Sequence, residues 1–518
     1  MEFQEEKIAS RRDSLPYPEA LSANADAIRE LAEAVQGTLG PKGLDTMLVD
    51  ERGGVVVTND GVTILKRMEI QHPAARMVAG IARAQQEEVG DGTTTATLLA
   101  AALVDEGLKQ VNRGVPAAKV IAGIRRGIRY ALEQMQDMAQ PIWDLEDEWL
   151  QRIAFTASRE QEDITELVIE AAMLVGRKKL LDKDFRLSDA VVAHPRAESE
   201  VFAGLFIPRR EMNLKSPEPA PEIRVLPVAG DLRPERVDEG SLSTDAGFAK
   251  QEKLKEEFEQ LIVKLIDLDV GLIAVEGEVD PQADERLTEA GIRVAHQVNR
   301  QDLDRLAEYT GARLLRPTSF NRSREELASL TGRCEQVEDS GRLGWFRVTG
   351  GHGKPFATIL VSAATEEVVE ERERIAKDAA AAVQAAVRGG FLPGGGAVEL
   401  ALARGVEAFG DTVQGMEVYG VSAVAAALHR PMAQMVSNAG FNPLEKVEEV
   451  KALQWRQSSS SLGLDCDRGV VSDMVDMGVV DPLPVKYHAL QAAGEVSTAI
   501  LRIHTVVKMR RAEAERLR

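Results

Sequence analysis

Cysteine is almost absent. Cys334 and Cys466 are the only two in 518 residues, and they stand far apart without metal-ligand spacing. That excludes a disulfide framework, reads both as small buried hydrophobes, and predicts a reducing cytoplasm. Positive charge is also short: 63 Lys and Arg against 83 Asp and Glu leave a net charge of −20. Nucleic acid and anionic membrane surfaces both need positive surface, so neither is predicted as a partner. No apolar run reaches about 18 residues, so no membrane-spanning helix is predicted. The N-terminus Met1-Glu-Phe-Gln-Glu-Glu-Lys carries acids and no apolar stretch, which argues against a signal peptide. There is no solenoid repeat, and no Gly-x-x-x-x-Gly-Lys-Ser/Thr phosphate loop of the kind that marks many kinases.

What is present is ordinary for a folded protein, with 44% hydrophobic and 28% charged residues. One core rarely grows beyond about 250–300 residues, so two or three domains are predicted. Residues 1–20 mix charge with Pro16 and Pro18 and read as a mobile arm. Residues 24–38 repeat apolar side chains at helical spacing (Ala27, Ile28, Leu31, Ala34, Val35) and run into Leu39-Gly40-Pro41-Lys42-Gly43, a tight turn. Residues 55–58 read as a strand followed by Asn59-Asp60-Gly61, a hairpin-type turn. Helical patterns then extend over 73–138, broken mainly at 90–95. Residues 139–203 are looser, with a helix over about 163–175 and a β-leaning run at 190–194. From Gly204 the pattern changes. Apolar runs at 223–228, 270–275, 292–295 and 313–315 alternate with helical segments at 280–290 and 302–310, which predicts an α/β sheet domain. A polar stretch at 229–253 interrupts it and opens into a long helix. Helices return at 366–387, 398–405 and 489–510.

The chain's most informative stretch is Val89-Gly-Asp-Gly-Thr-Thr-Thr-Ala-Thr, followed at once by apolar helix formers. Gly90 and Gly92 admit a ligand close to the backbone, and Thr93, Thr94 and Thr95 supply hydroxyls and first-turn N–H groups suited to a phosphate. Asp91 beside a phosphate would repel it unless a cation lay between, so Asp91 implies Mg²⁺. The alternative is a plain Asp/Thr helix cap. Phe391-Leu-Pro-Gly394-Gly395-Gly396-Ala suits an anion or ribose, or is a hinge. Asp378 lies in an alanine-rich helical half, where an acid lowers helix propensity and a surface position is the simple explanation. Asp481, before Pro482, is a turn residue or an acceptor for a ribose hydroxyl.

No one of these motifs is specific, but their order is. Leu39-Gly-Pro-Lys-Gly, Thr58-Asn-Asp-Gly, Gly90-Asp-Gly-Thr-Thr-Thr and Gly394-Gly-Gly together resemble the chaperonin family. Residues 69–77, Glu-Ile-Gln-His-Pro-Ala-Ala-Arg-Met, resemble its group II, thermosome-like branch, and residues 474–483 resemble its C-terminal nucleotide segment. The divergent middle is compatible with a bacterial, group III-like member.

The resemblance implies a multidomain α and α/β subunit. A mainly helical equatorial domain (1–138 and 391–518) would bind ATP, a small intermediate domain (139–203 and 354–390) would act as hinge, and an α/β apical domain (204–353) would bind substrate. Residues 229–256 would form a lid-like insertion. It implies that Leu39, Gly40 and Pro41 cradle phosphate with Gly92, Thr93, Thr94 and Thr95. Asp91 would hold Mg²⁺, and Asp60 and Asp378 would position or activate the attacking water. Gly394, Gly395 and Asp481 would meet ribose and base. ATP and Mg²⁺ are the implied cofactors, with K⁺ a further candidate. The implied assembly is a homo-oligomer of two stacked rings, eight or nine subunits each, acting on non-native proteins without a separate co-chaperonin. Departures exist: Arg159 is the only base in 156–161, where many group II members carry a lysine, and Ser362-Ala-Ala replaces a glycine-bearing turn. A folding ATPase is therefore weighed against a ring-forming holdase without productive ATP cycling, and against an unrelated α/β kinase.

Overall fold

The computed structural model describes residues 19–504 except 51–52, 196, 209–221, 236–244, 317–318 and 320. Of the sequence-predicted arm at 1–20, residues 1–18 lie outside the described residues, as do the middle of the lid-like segment and the basic C-terminal end; Glu19 and Ala20 instead open a helix, with Ala20 fully buried. The chain divides into two compact units, one formed by residues 1–160 and 378–518, the other by 161–377. The division falls inside one continuous helix, Glu366–Gly389.

The first unit is a helical bundle. Its long helices bury stripes of apolar side chains at the spacing of a helix face: Val120, Ile121, Ile124, Ile128, Ala131, Leu132 and Met135 on Ala117–Met138, and Leu21, Ala25, Ile28, Leu31 and Val35 on Glu19–Gln36. They pack around Thr93–Asn112, whose Leu98, Leu99, Leu103 and Val104 are buried, and around Val418–Leu428 and Leu483–Leu501 from the far end of the chain. Glycines set how closely these helices approach. A Cβ on Gly123 would stand 2.0 Å from the Glu417 carbonyl oxygen and 2.7 Å from the Gly420 Cα. A Cβ on Gly420 would stand 2.2 Å from the Val120 carbonyl oxygen. Two backbones therefore touch where Ala117–Met138 crosses Val418–Leu428. Short antiparallel pairs finish the unit: Thr46–Val49 with Val55–Thr58, Leu462–Asp465 with Val470–Asp473, and Phe391–Pro393 with Val480–Pro482, where Leu392 faces Asp481.

The second unit is α/β. Its four-stranded sheet runs Arg293–Ala295, Val270–Val275, Ile223–Val228, Gly332–Cys334, the first three parallel and the last antiparallel. Both faces are covered, as parallel strands require. Leu226, Val228, Ile273 and Val275 pack against Leu261, Leu265 and Leu287 of the helices Asp245–Asp267 and Pro281–Glu289. Val225, Leu272 and Ala274 pack against Leu303 and Leu306 of Arg300–Thr310 and against Leu205, Ile207 and Val348 of a second, antiparallel sheet. A third sheet pairs Thr358–Val361 with Val191–Ala193 and Glu200–Phe202.

The strands read at 223–228 and 270–275 are present as predicted. The run at 313–315 makes only a single parallel bridge, Leu315 to Val228: Gly332–Cys334 holds that edge of the strand over 223–225, and the Arg313 N–H donates to the Leu330 carbonyl instead. Asn59-Asp60-Gly61 is not a hairpin turn: Asp60 caps a short helix, Gly61–Arg67. The polar segment after 229 does not leave the sheet at once. Leu232 is fully buried and bridges Val279, and Asp231 accepts the Glu278 N–H at 2.9 Å. Cys334 is buried and unpaired, and burial pushes its thiol up to about 12. Gly123→Ala is expected to destabilise the first unit by about 1–3 kcal/mol, because the added methyl meets backbone on both sides. Gly405→Ala, whose methyl would meet only the Tyr130 ring at 3.6 Å, should be neutral or stabilising by up to about 1 kcal/mol. Urea unfolding of the two variants checks this, and equal midpoints would refute the close crossing.

Candidate functional site

The site is assembled from segments of the first unit that are far apart in sequence. The helix Glu19–Gln36 ends in a turn in which the Gly43 N–H donates to the Gly40 carbonyl at 2.9 Å, with Pro41 at the second position, where its fixed φ belongs. Asn438 clamps this turn, its Nδ2 donating to the Gln36 and Leu39 carbonyls at 2.9 and 2.8 Å. Thr38 Oγ1 donates to the Val35 carbonyl, so at its 3.3 Å contact with Thr94 Oγ1 the Thr94 hydroxyl is the donor. That contact ties the Gly40 turn to the threonine run.

The threonine run opens the helix Thr93–Asn112. Its N-cap is Gly92 in the left-handed region (φ 79°), without a side-chain cap. The helix Ala397–Thr412 begins the same way, on Gly396 (φ 77°) with no side-chain cap. Asp147, Asp280, Asn299 and Asn442 cap their helices with a side chain, whereas the helices after Pro116, Gln161, Glu417 and Pro482 also go without one. Both glycine motifs thus leave first-turn N–H groups uncovered, which is what an anion needs. The methionines of Arg430–Asn438 bring these motifs together: a Cβ on Gly40 would meet Met435 Cγ at 2.7 Å, and one on Gly396 would meet Met432 Cβ at 2.8 Å and Met435 Cε at 3.0 Å.

Asp60 lies beside the threonines, since a Cβ on the next residue, Gly61, would stand 2.5 Å from Thr94 Oγ1. Its carboxylate accepts the Thr63 N–H at 2.9 Å, the Thr63 hydroxyl at 2.6 Å and the Val62 N–H at 3.3 Å. Asp60 therefore caps its own helix, and a carboxylate retains acceptor capacity beyond these bonds. On another side, Gly90 (φ 76°) abuts Ala381, whose Cβ would be 2.3 Å from any Cβ placed on Gly90. Asp378 stands three residues before Ala381, on the same face of Glu366–Gly389, and is half-buried. It opens the second segment of the same compact unit that holds Asp60 and Asp91.

On the remaining side, Asp481 sits in the strand paired with Phe391–Pro393, and its Oδ2 lies 3.1 Å from where a Gly394 Cβ would be. Gly395 (φ 60°) is pressed against Met474. Lys486, one turn into Leu483–Leu501, places Nζ 2.9 Å from Asp481 Oδ2 and 2.6 Å from Glu399 Oε1. So the structure brings Leu39, Gly40, Pro41, Asp60, Asp91 to Thr95, Gly394, Gly395 and Asp481 to one end of the helical unit.

Asp91 is the electrostatic centre. Burial raises its pKa. The Gly92 N–H, at 2.5 Å from Oδ1, and Lys486 act against that rise, while Asp481 and Asp60 add to it. The Gly92 N–H is the one hydrogen bond its carboxylate accepts among the described residues. Among the described residues no group of three or more His, Cys, Asp or Glu side chains could hold a metal alone. The donor set instead fits Mg²⁺, which takes one or two carboxylates and completes its shell with phosphate oxygens and water. The glycines themselves pack on protein atoms, Gly40 on Met435, Gly90 on Ala381 and Gly92 on Val485, so what suits a nucleotide's phosphates is the pair of helix N-termini that lack a side-chain cap.

Sequence reading missed several residues. Gln85 is wholly buried and clasps the loop, its Nε2 donating to the Asp91 carbonyl at 2.7 Å and the Val485 carbonyl at 3.0 Å. His488 Nδ1 lies 2.6 Å from its Oε1. A glutamine near a helix end gives no signal. Glu399 gave one: an acid in the otherwise apolar Ala-Val-Glu-Leu-Ala-Leu that follows the glycines. Arg159 and Glu160 both have left-handed backbone (φ 55° and 62°), so the turn at 158–160 is irregular and no register is legible there.

The TCP-1/cpn60 chaperonin family matches residues 31–511. The thermosome subunit of Methanocaldococcus jannaschii is 32% identical over 505 residues, spanning 94% of this chain and 92% of that protein. That of Methanopyrus kandleri is 33% identical over 512 residues, spanning 95% and 92%. A crystal structure of a group III chaperonin in the open state is similar with a TM-score of 0.84 and 43% identity, over 94% of this chain and 99% of that one. The ordered glycine motifs, the α/β second unit and these matches lead to one conclusion: the chain belongs to the TCP-1/cpn60 chaperonin family, on its thermosome-like, group III side.

Proposed function

We propose that this subunit hydrolyses ATP and uses the energy to enclose non-native proteins in the cavity of a double ring, eight or nine subunits to each ring, in the cytoplasm. The observation that carries the reading is the convergence of Asp60, Asp91 and the Asp378-bearing helix on an uncapped, glycine-started helix N-terminus. In this reading Leu39, Gly40, Pro41, Gly92, Thr93, Thr94 and Thr95 hold the phosphates through backbone N–H groups and hydroxyls. Asp91 is the protein ligand of Mg²⁺. Bound there, Mg²⁺ would neutralise charge on the phosphates. Asp60 and Asp378 orient the attacking water, and Gly394, Gly395 and Asp481 receive ribose and base. K⁺ is a further candidate ion.

The domain reading is part of the proposal: 1–138 with 391–518 as the equatorial, ATP-binding domain, 139–203 with 354–390 as the hinge, and 204–353 as the substrate-binding apical domain. Asp378 then belongs to the hinge domain's last helix. Its carboxylate reaches the water only when that helix closes on the site, which gates hydrolysis. Segment 229–256 is the built-in lid, anchored at Leu232 and on the helix Asp245–Asp267. That would make a separate co-chaperonin unnecessary. A ring-forming holdase is the second reading. The presence of Asp60, Asp91 and Asp378 together favours the ATPase, since a holdase has no use for a water-positioning carboxylate.

Asp378→Ala should bind ATP near normally while turnover falls by about two orders of magnitude or more, the scale of a lost water-positioning group. Steady-state hydrolysis beside nucleotide titration reads this, and parental turnover would remove Asp378 from the mechanism. Asp91→Ala should instead lose the Mg²⁺-dependent part of nucleotide affinity. Equal affinities for the two proteins in Mg²⁺ would contradict that assignment. Replacing 236–244 by a short Gly/Ser linker keeps the Leu232 anchor. It should leave rings, seen by electron microscopy, and ATP hydrolysis intact while abolishing protease protection of an enclosed client. Protection that survives would remove the lid reading, and a monomer would remove the ring.

A further inference from the structure

Lys486 is the strongest unassigned group. Its side chain is 11% exposed and that of Glu399 is 3% exposed. Burial alone would lower the pKa of such a lysine, yet Asp481 and Glu399 outweigh burial and raise it, so the ammonium stays charged. A buried charge of this kind is costly unless it is paired in good geometry. Here one ammonium spans two carboxylates that come from different elements. Glu399 projects from the first turn of the helix started by Gly396, and Asp481 from the strand paired with Phe391–Pro393. Only Glu399 Oε1 is used, for Oε2 is buried with no hydrogen-bond partner. The pair is therefore not optimised for Glu399. Its effect is to fix where Lys486 Nζ stands, and thereby where Asp481 Oδ2 stands. Among the described residues, Asp481 Oδ1 makes no hydrogen bond.

We propose that Lys486, anchored on Glu399, is a positioning residue for recognition of the nucleotide's ribose: it holds Asp481 by Oδ2 so that Oδ1 is presented to the ribose hydroxyls. This rests on the reading of Asp481 as the ribose-side contact. The physical need is plain. Asp481 and Asp91 repel one another within the site, and a carboxylate free to rotate would spend entropy on each binding event. A fixed ammonium offsets part of that repulsion and holds the carboxylate in one orientation, leaving Oδ1 to accept from a hydroxyl.

The test is binding of ATP and of 2′,3′-dideoxyATP, both with Mg²⁺ and read on rapid mixing before turnover, to the full-length assembled protein and to Lys486→Met, Asp481→Asn, the double variant and Glu399→Gln. The parent should prefer ATP by about 10-fold or more, the scale of a hydrogen bond to a charged acceptor. In Lys486→Met that preference should collapse to within about 2-fold, with affinity for the dideoxy analogue near the parent's. In the Asp481→Asn background the Lys486 change should add nothing, because the two act as one unit. A parent that prefers neither nucleotide overturns the Asp481 reading itself. A parent that prefers ATP, with Lys486→Met keeping the preference, overturns only the Lys486 role. Equal weakening of both nucleotides in Lys486→Met would make the lysine merely structural and also overturns it. Should Lys486→Met fail to assemble, Glu399→Gln keeps the Lys486–Asp481 pair and only loosens its anchor. A reduced preference there supports the proposal, and an unchanged one overturns it.

Discussion

Close backbone approach through glycine is the constraint on which the helical unit depends. The unit is built from two stretches separated by the whole of the second unit, and they meet where side chains are missing. Gly123 lies on Gly420, Gly107 on Leu501, Gly127 on Val424, Gly494 on Ile128, and Gly92 on Val485. Each contact joins the N-terminal stretch to the C-terminal one. Removing Cβ atoms at the seam lets helices approach without opening voids, and dense packing is what holds a core whose parts are remote in sequence. The unit is thus one compact body despite its discontinuous path.

The candidate site lies on the same seam, and the reason is geometrical. Gly90 and Gly92 reach the C-terminal stretch through Ala381 and Val485, and Gly40 reaches it through Met435. At each of these places the missing Cβ is what lets a side chain of the C-terminal stretch come down on the loop backbone. The acids follow the opposite logic. Asp91 and Asp481 are placed where their charges disfavour one another, a conflict that only a cation or a donor resolves. Lys486 meets part of that need from within the fold. Like charges held close together cost stability, and such arrangements cluster at functional sites.

The second unit follows different rules. Its parallel strands are covered on both faces, so residues at 223–228 and 270–275 are almost continuously apolar and readable. Where an edge contact is a single bridge, as at Leu315, pattern alone overstates the strand. Polar character misled in the other direction at 229–235, where a lone Leu232 in a hydrophilic stretch is an anchor.

The sequence by itself determined much of this. Helical stripes such as Ile28, Leu31 and Val35 declare their own partners' chemistry, and the alternation of strand and helix after residue 204 declares an α/β layer, because both rest on short-range periodicity. It determined the glycine turns too, since Gly90-Asp-Gly and Gly394-Gly-Gly carry their backbone freedom with them. The tertiary structure alone decided which of these motifs meet. Asp60 reads as a turn until the fold sets it against Thr94, and Asp378 reads as a surface acid until Ala381, one turn on, is found against Gly90. Glu399, Gln85 and Lys486 acquire meaning only when residues some 90 to 400 positions apart become neighbours. Charge pairing and close approach act through space, and nothing local in the chain encodes the partner.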